Sequence, residues 1–119
     1  MKNRSVIWEK KWRRKNLPKI AYKYDEDKAL AELQKYIDST YDGHYSKNAF
    51  QATEFIIDGG HGEGFCIGNI MKYAQRYGKK GGKNRSDLLK ILHYTIIALF
   101  VHDKEETWLI LDDVILYKL

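Results

Sequence analysis

A chain of 119 residues has the length of one domain, long enough to bury a core and too short for two independent ones. Hydrophobic residues at 44% and charged residues at 31%, with a single Pro and no repeat or low-complexity tract, fit a globular protein and exclude a disordered one. The net charge of +5 is uneven: residues 1–24 carry nine Lys or Arg against Glu9, a local +8, while residues 25–119 carry twelve against fifteen acids, a local −3.

Residues 1–24 are predicted to form a basic aromatic arm outside a helical domain spanning 25–119. Pro18 interrupts any helix there, and Trp8, Trp12, Tyr22 and Tyr24 interleave with Lys and Arg. Such an arm can dock its aromatics on its own domain, pack on a partner chain, or bind polyanions such as nucleic acid. Asp25–Tyr41 reads as a first helix, with acids at its start and Leu30, Leu33, Tyr36 and Ile37 at helical spacing. The turn formers of Tyr41–Asn48 end it. A second helix is expected over Asn48–Asp58, striped by Ala52, Phe55 and Ile56, followed by the glycine loop Gly59–Gly64.

A third helix is expected over Phe65–Tyr77, closed by Gly78. Ile67, Ile70, Met71 and Ala74 share one side of it, and Asn69, Lys72 and Arg76 the other. The basic glycine loop Gly78–Arg85 leads to a fourth helix, Asp87 to about Asp103, with Ser86 as its expected cap. That helix is apolar in nearly every direction. Only Asp87, Lys90 and Tyr94 form a polar stripe, at i, i+3 and i+7, where water should be scarce. So much apolar surface in a small domain predicts a homo-oligomer. Thr107–Leu119 has no clear period and is read as a further helix rather than a hairpin. The fold class is therefore all-α, a small bundle of four to five helices.

The lone Cys66 excludes an internal disulfide and a multi-cysteine zinc site and fits a reducing compartment. The apolar residues of the arm are scattered among charges, unlike a signal peptide. The stretch Thr95–Val101 falls far short of the ~20 residues of a membrane span. A cytoplasmic protein with no membrane partner is expected.

From His44 the order of residues resembles the SaV-like domain of small bacteriophage proteins, a family of unknown function. His44-Tyr45 and Gln51-Ala52-Thr53-Glu54-Phe55-Ile56 match its opening. Gly68-Asn69, Lys72-Tyr73, Arg76 and Gly78-Lys79-Lys80 match its most recognisable stretch, and Gly82, Asp87-Leu88, Lys90 and Tyr94 its close. The likeness covers residues 44–103, about half of the chain. Some members carry a nucleotide-kinase label, so the resemblance implies handling of nucleotides. The basic arm and the apolar C-terminal tail depart from the family pattern.

Glycine loops that enter helix N-termini are natural anion sites, because free N–H groups and the helix dipole converge there. Two junctions qualify, Gly62–Phe65 and Gly81–Ser86. Neither has Walker A spacing, so any kinase activity would be of a non-P-loop kind. The candidate phosphate-binding set is Asn69, Lys72, Arg76, Lys79, Lys80, Lys83, Arg85, Lys90 and Tyr94; a solvated face on helix three, and an ion pair of Asp87 with Arg76 or Lys90, are the structural alternatives. Asp87 and Glu54 are the candidate catalytic acids, orienting an acceptor or a metal while Lys and Arg stabilise a moving phosphoryl group. Gln51, Glu54 and Asp58 share a face that reads either as solvated or as a magnesium site. His44, His61, His93 and His102 lack ligand spacing, and no residues are assigned to a metal. Cys66 is expected to be a core thiol.

With these features the resemblance implies a phage protein that recognises nucleotide phosphates, with nucleoside monophosphate kinase-like transfer left open. Two alternatives stand beside it. One is a counter-defence protein that sequesters a nucleotide-derived signal unchanged, and the other a nucleic-acid binder acting through the arm.

Overall fold

A computed structural model describes residues 10–11, 19–79 and 81–118. Among them are four helices and no strand: α1 (Glu26–Thr40), α2 (His44–Asp58), α3 (Gly62–Arg76) and α4 (Arg85–Lys118). The all-α expectation holds. Most of the arm, 1–9 and 12–18, lies outside the described residues, and Lys19–Tyr24 are exposed.

In α1 the acids Glu26 and Asp27 occupy the first turn, where the helix dipole favours them. Asp25 lies just before it with a left-handed φ of 55° and pairs with Lys28 at 3.1 Å. At the far end the Ser39 and Thr40 hydroxyls donate to the carbonyls of Tyr36 and Ile37, the back-bonding that weakens a last turn. Gly43, at φ 93°, then reverses the chain, so α2 begins at His44 and not at Asn48. One glycine in a conformation costly for other residues suffices; the polar residues after it are tolerated in a first helical turn.

The predicted glycine loop before α3 is shorter than expected, because Gly62 and Gly64 are already helical. The reason is tertiary. A Cβ at Gly62 would stand 3.0 Å from Val101 Cγ2 and 3.1 Å from Ile57 Cγ1, so only glycine lets the start of α3 reach α4. Helix α3 ends at Arg76, two residues before Gly78 at φ 84°, close to the predicted stop.

Helix α4 is 34 residues long and continuous, so the expected helix over the C-terminal segment is the far part of α4, and among the described residues the bundle has four members. Its cap is Asn84, not Ser86. The Asn84 side-chain oxygen accepts from the Ser86 N–H at 3.1 Å and from the Ser86 hydroxyl at 2.9 Å. Ser86 lies one residue inside the helix, since Asn84 can reach its N–H while Arg85 already has helical geometry.

Helices α3 and α4 run antiparallel: Gly62 lies against Val101 at one end, and Arg76 faces Asp87 at the other. Helix α1 meets α4 through the edge of Tyr36 on His93, ring centres 6.0 Å apart. Helix α2 is tied in by Lys104 to Asp58 at 3.0 Å and by Phe50 stacked on Tyr41 at 4.3 Å. Among the described residues Leu33, Cys66 and Val101 are the buried apolar side chains, each worth about 1.5–3 kcal/mol for a residue of the Leu or Val kind. No helix among the described residues is long and apolar enough to cross a membrane.

Candidate functional site

Among the described residues the most deeply buried polar side chain is Asp87, 1% exposed, in the first turn of α4. Its Oδ1 lies 4.0 Å from Arg76 Nε, and its Oδ2 is buried with no hydrogen-bond partner. Of the readings left open for the polar stripe, the ion pair to Arg76 is the one seen. The consequence for anion binding is direct. A carboxylate already occupies the positive end of α4, and Asn84 takes the Ser86 N–H with its side chain and the Asp87 N–H with its carbonyl, the latter at 3.0 Å. The loop before it also folds on itself, with the Gly78 N–H bonded to the Gly82 carbonyl at 3.1 Å. Within the Gly81–Ser86 junction the Asn84 and Ser86 N–H groups are therefore already engaged, by the Gly82 carbonyl and the Asn84 side chain. At the other junction Gly62 is buried against Val101, while Glu63 and Gly64 are exposed.

A different set of residues converges where all four helices meet. Tyr36 and Thr40 of α1, Phe50 and Thr53 of α2, Tyr73 of α3, and Lys90, His93 and Tyr94 of α4 line a cleft of about 180 Å³. The Tyr73 and Tyr94 rings stack at 6.0 Å with planes 15° apart, and Phe65 meets Tyr94 edge-on at 5.8 Å. Two ammonium groups sit over Tyr73: Lys72 Nζ at 4.5 Å and Lys90 Nζ at 5.0 Å from the ring centre. Cation–π attraction holds them there. Burial, with Tyr73, Tyr36 and Cys66 nearby, keeps the Tyr94 phenol above its usual pKa; burial and Tyr73 do the same for Tyr36. Burial lowers the pKa of His93, which favours its neutral form. The cleft is thus aromatic, with an imidazole and two phenols inside and two cations at Tyr73.

Of the predicted phosphate ligands, Lys72, Lys90 and Tyr94 come together at this cleft. Arg76 is engaged by Asp87. Arg85 is held by Glu32 in a two-pronged pair, Nε to Oε1 at 2.7 Å, and the hydrogen bond from Arg85 lowers the Glu32 pKa. Asn69 donates its amide to the Phe65 carbonyl of its own helix at 2.8 Å. Lys79 and Lys83 are exposed in the loop, and Lys80 lies outside the described residues.

The candidate catalytic acid Glu54 is exposed on α2, and Asp58 is paired with Lys104. Among the described residues no three His, Cys, Asp or Glu side chains gather as a metal site. Cys66 is buried, and burial raises its thiol pKa, as suits a core residue. Tyr36, Phe50, Thr53, Tyr73 and His93 were not singled out from sequence as site residues. Four helices bring them together, and the only local hint is the Lys72-Tyr73 pair.

No curated protein and no solved structure matches the chain detectably. The family model described as a protein of unknown function (DUF3310) matches residues 39–95, from the last turn of α1 through α2, α3 and the first part of α4, a span that holds every cleft residue named above except Tyr36.

Proposed function

We propose that this protein binds a nucleotide, with the base or sugar in the aromatic cleft and the phosphate on Lys72 and Lys90. The observation that carries this reading is the convergence of those two ammonium groups on Tyr73 at a cleft walled by Tyr36, Phe50 and Tyr94. Aromatic faces suit a flat heterocycle, and paired cations suit a phosphate, to which charge-assisted hydrogen bonds are the strong ones. The resemblance to phage proteins labelled nucleotide kinases supports the same ligand class. In this arrangement Lys72 and Lys90 would also stabilise charge on a phosphoryl group in transit, whereas Asp87, shut in behind Arg76, is placed to hold the fold rather than an acceptor.

Calorimetric titration with nucleoside mono-, di- and triphosphates tests the proposal. Lys90→Ala and Lys72→Ala should each weaken binding by about 1.5–3 kcal/mol, roughly ten- to a hundredfold. Lys35→Ala, on exposed α1, should change it little. Equal, small losses for all three variants, erased by salt, would refute the site. Mass analysis of the recovered ligand separates the outcomes further: a changed nucleotide means phosphoryl transfer, and an unchanged one means capture, the counter-defence alternative.

A further inference from the structure

Helix α4 is apolar on the wrong side for a lone domain. At about 100° per residue, Asp87, Tyr94 and Val101 fall on its inward face, whereas Leu88, Leu92, Ile96 and Leu99 fall on the side away from it. Those four are between 41% and 58% exposed. Ile67 and Met71 of α3, also exposed, extend the same surface: Ile67 and Leu99 border one groove of about 360 Å³, and Met71 lies one turn further along α3. Together the six expose on the order of 600 Å², the upper end of what a monomer leaves uncovered. With a polar rim added, that approaches the ~800 Å² per partner of a standard interface.

We propose that this surface pairs with the same surface of a second copy, α4 against α4, antiparallel about a two-fold axis at the level of Thr95 and Ile96. Charge selects both the occupant and its direction. The N-terminal approach to α4 carries the exposed Lys83, and the far end of the stripe carries the exposed Glu106, about 100° round the helix from Asp87 as Leu88 is. Antiparallel pairing lays the basic end of one copy beside the acidic end of the other, with Leu92 opposite Leu99. Parallel pairing would set like charges side by side. The cleft opens on the opposite side of α4, so dimer formation and nucleotide binding use separate surfaces.

Light scattering of the full chain at tens of micromolar should give twice the chain mass of 14.0 kDa. The double variant Leu92→Glu/Leu99→Glu should give a monomer with its helical circular dichroism retained. Should that variant unfold, cross-linking decides. Leu88→Cys and Asp103→Cys chains, mixed and oxidised, should form mainly the mixed disulfide by intact mass, and Leu88→Cys alone should form little. A wild-type monomer, a dimer that persists in a folded double variant, or efficient Leu88→Cys self-linkage would each overturn the proposal.

Discussion

Arg76→Met should destabilise the fold much more than Asp87→Asn, although each removes one half of the same ion pair. Opposite unit charges 4.0 Å apart attract by about 4 kcal/mol at an effective dielectric near 20. Arg76 is 44% exposed, so water screens its half, and roughly 2 kcal/mol is the reasonable share. Methionine keeps much of the Arg76 stem but strands a carboxylate that is 1% exposed and has one oxygen without a hydrogen bond. Uncompensated buried charge is the costly outcome. Asp87→Asn removes that charge at nearly constant shape and frees Arg76 into water, so its cost should stay within about 1 kcal/mol. The double variant should recover at least half of the Arg76→Met loss. Urea unfolding followed by circular dichroism at pH 7 measures all three. Strictly additive losses, or a larger loss for Asp87→Asn, would show that the pair does not hold the α3–α4 end together.

Gly62→Ala should cost about 1–3 kcal/mol, because the added Cβ meets Val101 and Ile57 at 3.0–3.1 Å, and Val101→Ala in the same chain should return part of it; thermal unfolding reads both. His93 carries a pH dependence whose sign follows from burial. Its folded pKa lies below the ordinary 6.5, so the unfolded chain binds the extra proton first, and stability present above pH 6.5 is lost as pH falls through the lowered value. His93→Phe should flatten the urea midpoint between pH 7.5 and 5 relative to the parent. Removing residues 1–24 should leave cooperative unfolding intact, since the described residues of the arm, Lys10, Lys11 and Lys19–Tyr24, are all exposed; loss of the transition would move the domain boundary.

The polar positions on α4 show how far local pattern reaches. Asp87, Lys90 and Tyr94 stand out in an otherwise apolar helix, and period alone marks them as inward and in need of partners. Helical periodicity also suffices for α1 and for the body of α3, and the left-handed preference of glycine places the breaks at Gly43 and Gly78. Partners are another matter. That Asp87 answers to Arg76, that Arg85 is taken by Glu32 53 positions away, and that Gly62 must be bare because Val101 passes beside it all depend on how helices cross. The same holds for the cleft. Tyr36, Phe50, Tyr73 and His93 look in sequence like ordinary core aromatics, because the stripe that packs a bundle and the stripe that lines a cavity have the same 3.6-residue period. Sequence by itself determined the all-α class, the glycine breaks and the odd polar face of α4, since these depend on local propensity and periodicity. Only the tertiary structure decided which cations stay free at Tyr73 and which are spent on buried or neighbouring acids, because Coulomb attraction and burial depend on distances between elements that no local pattern records.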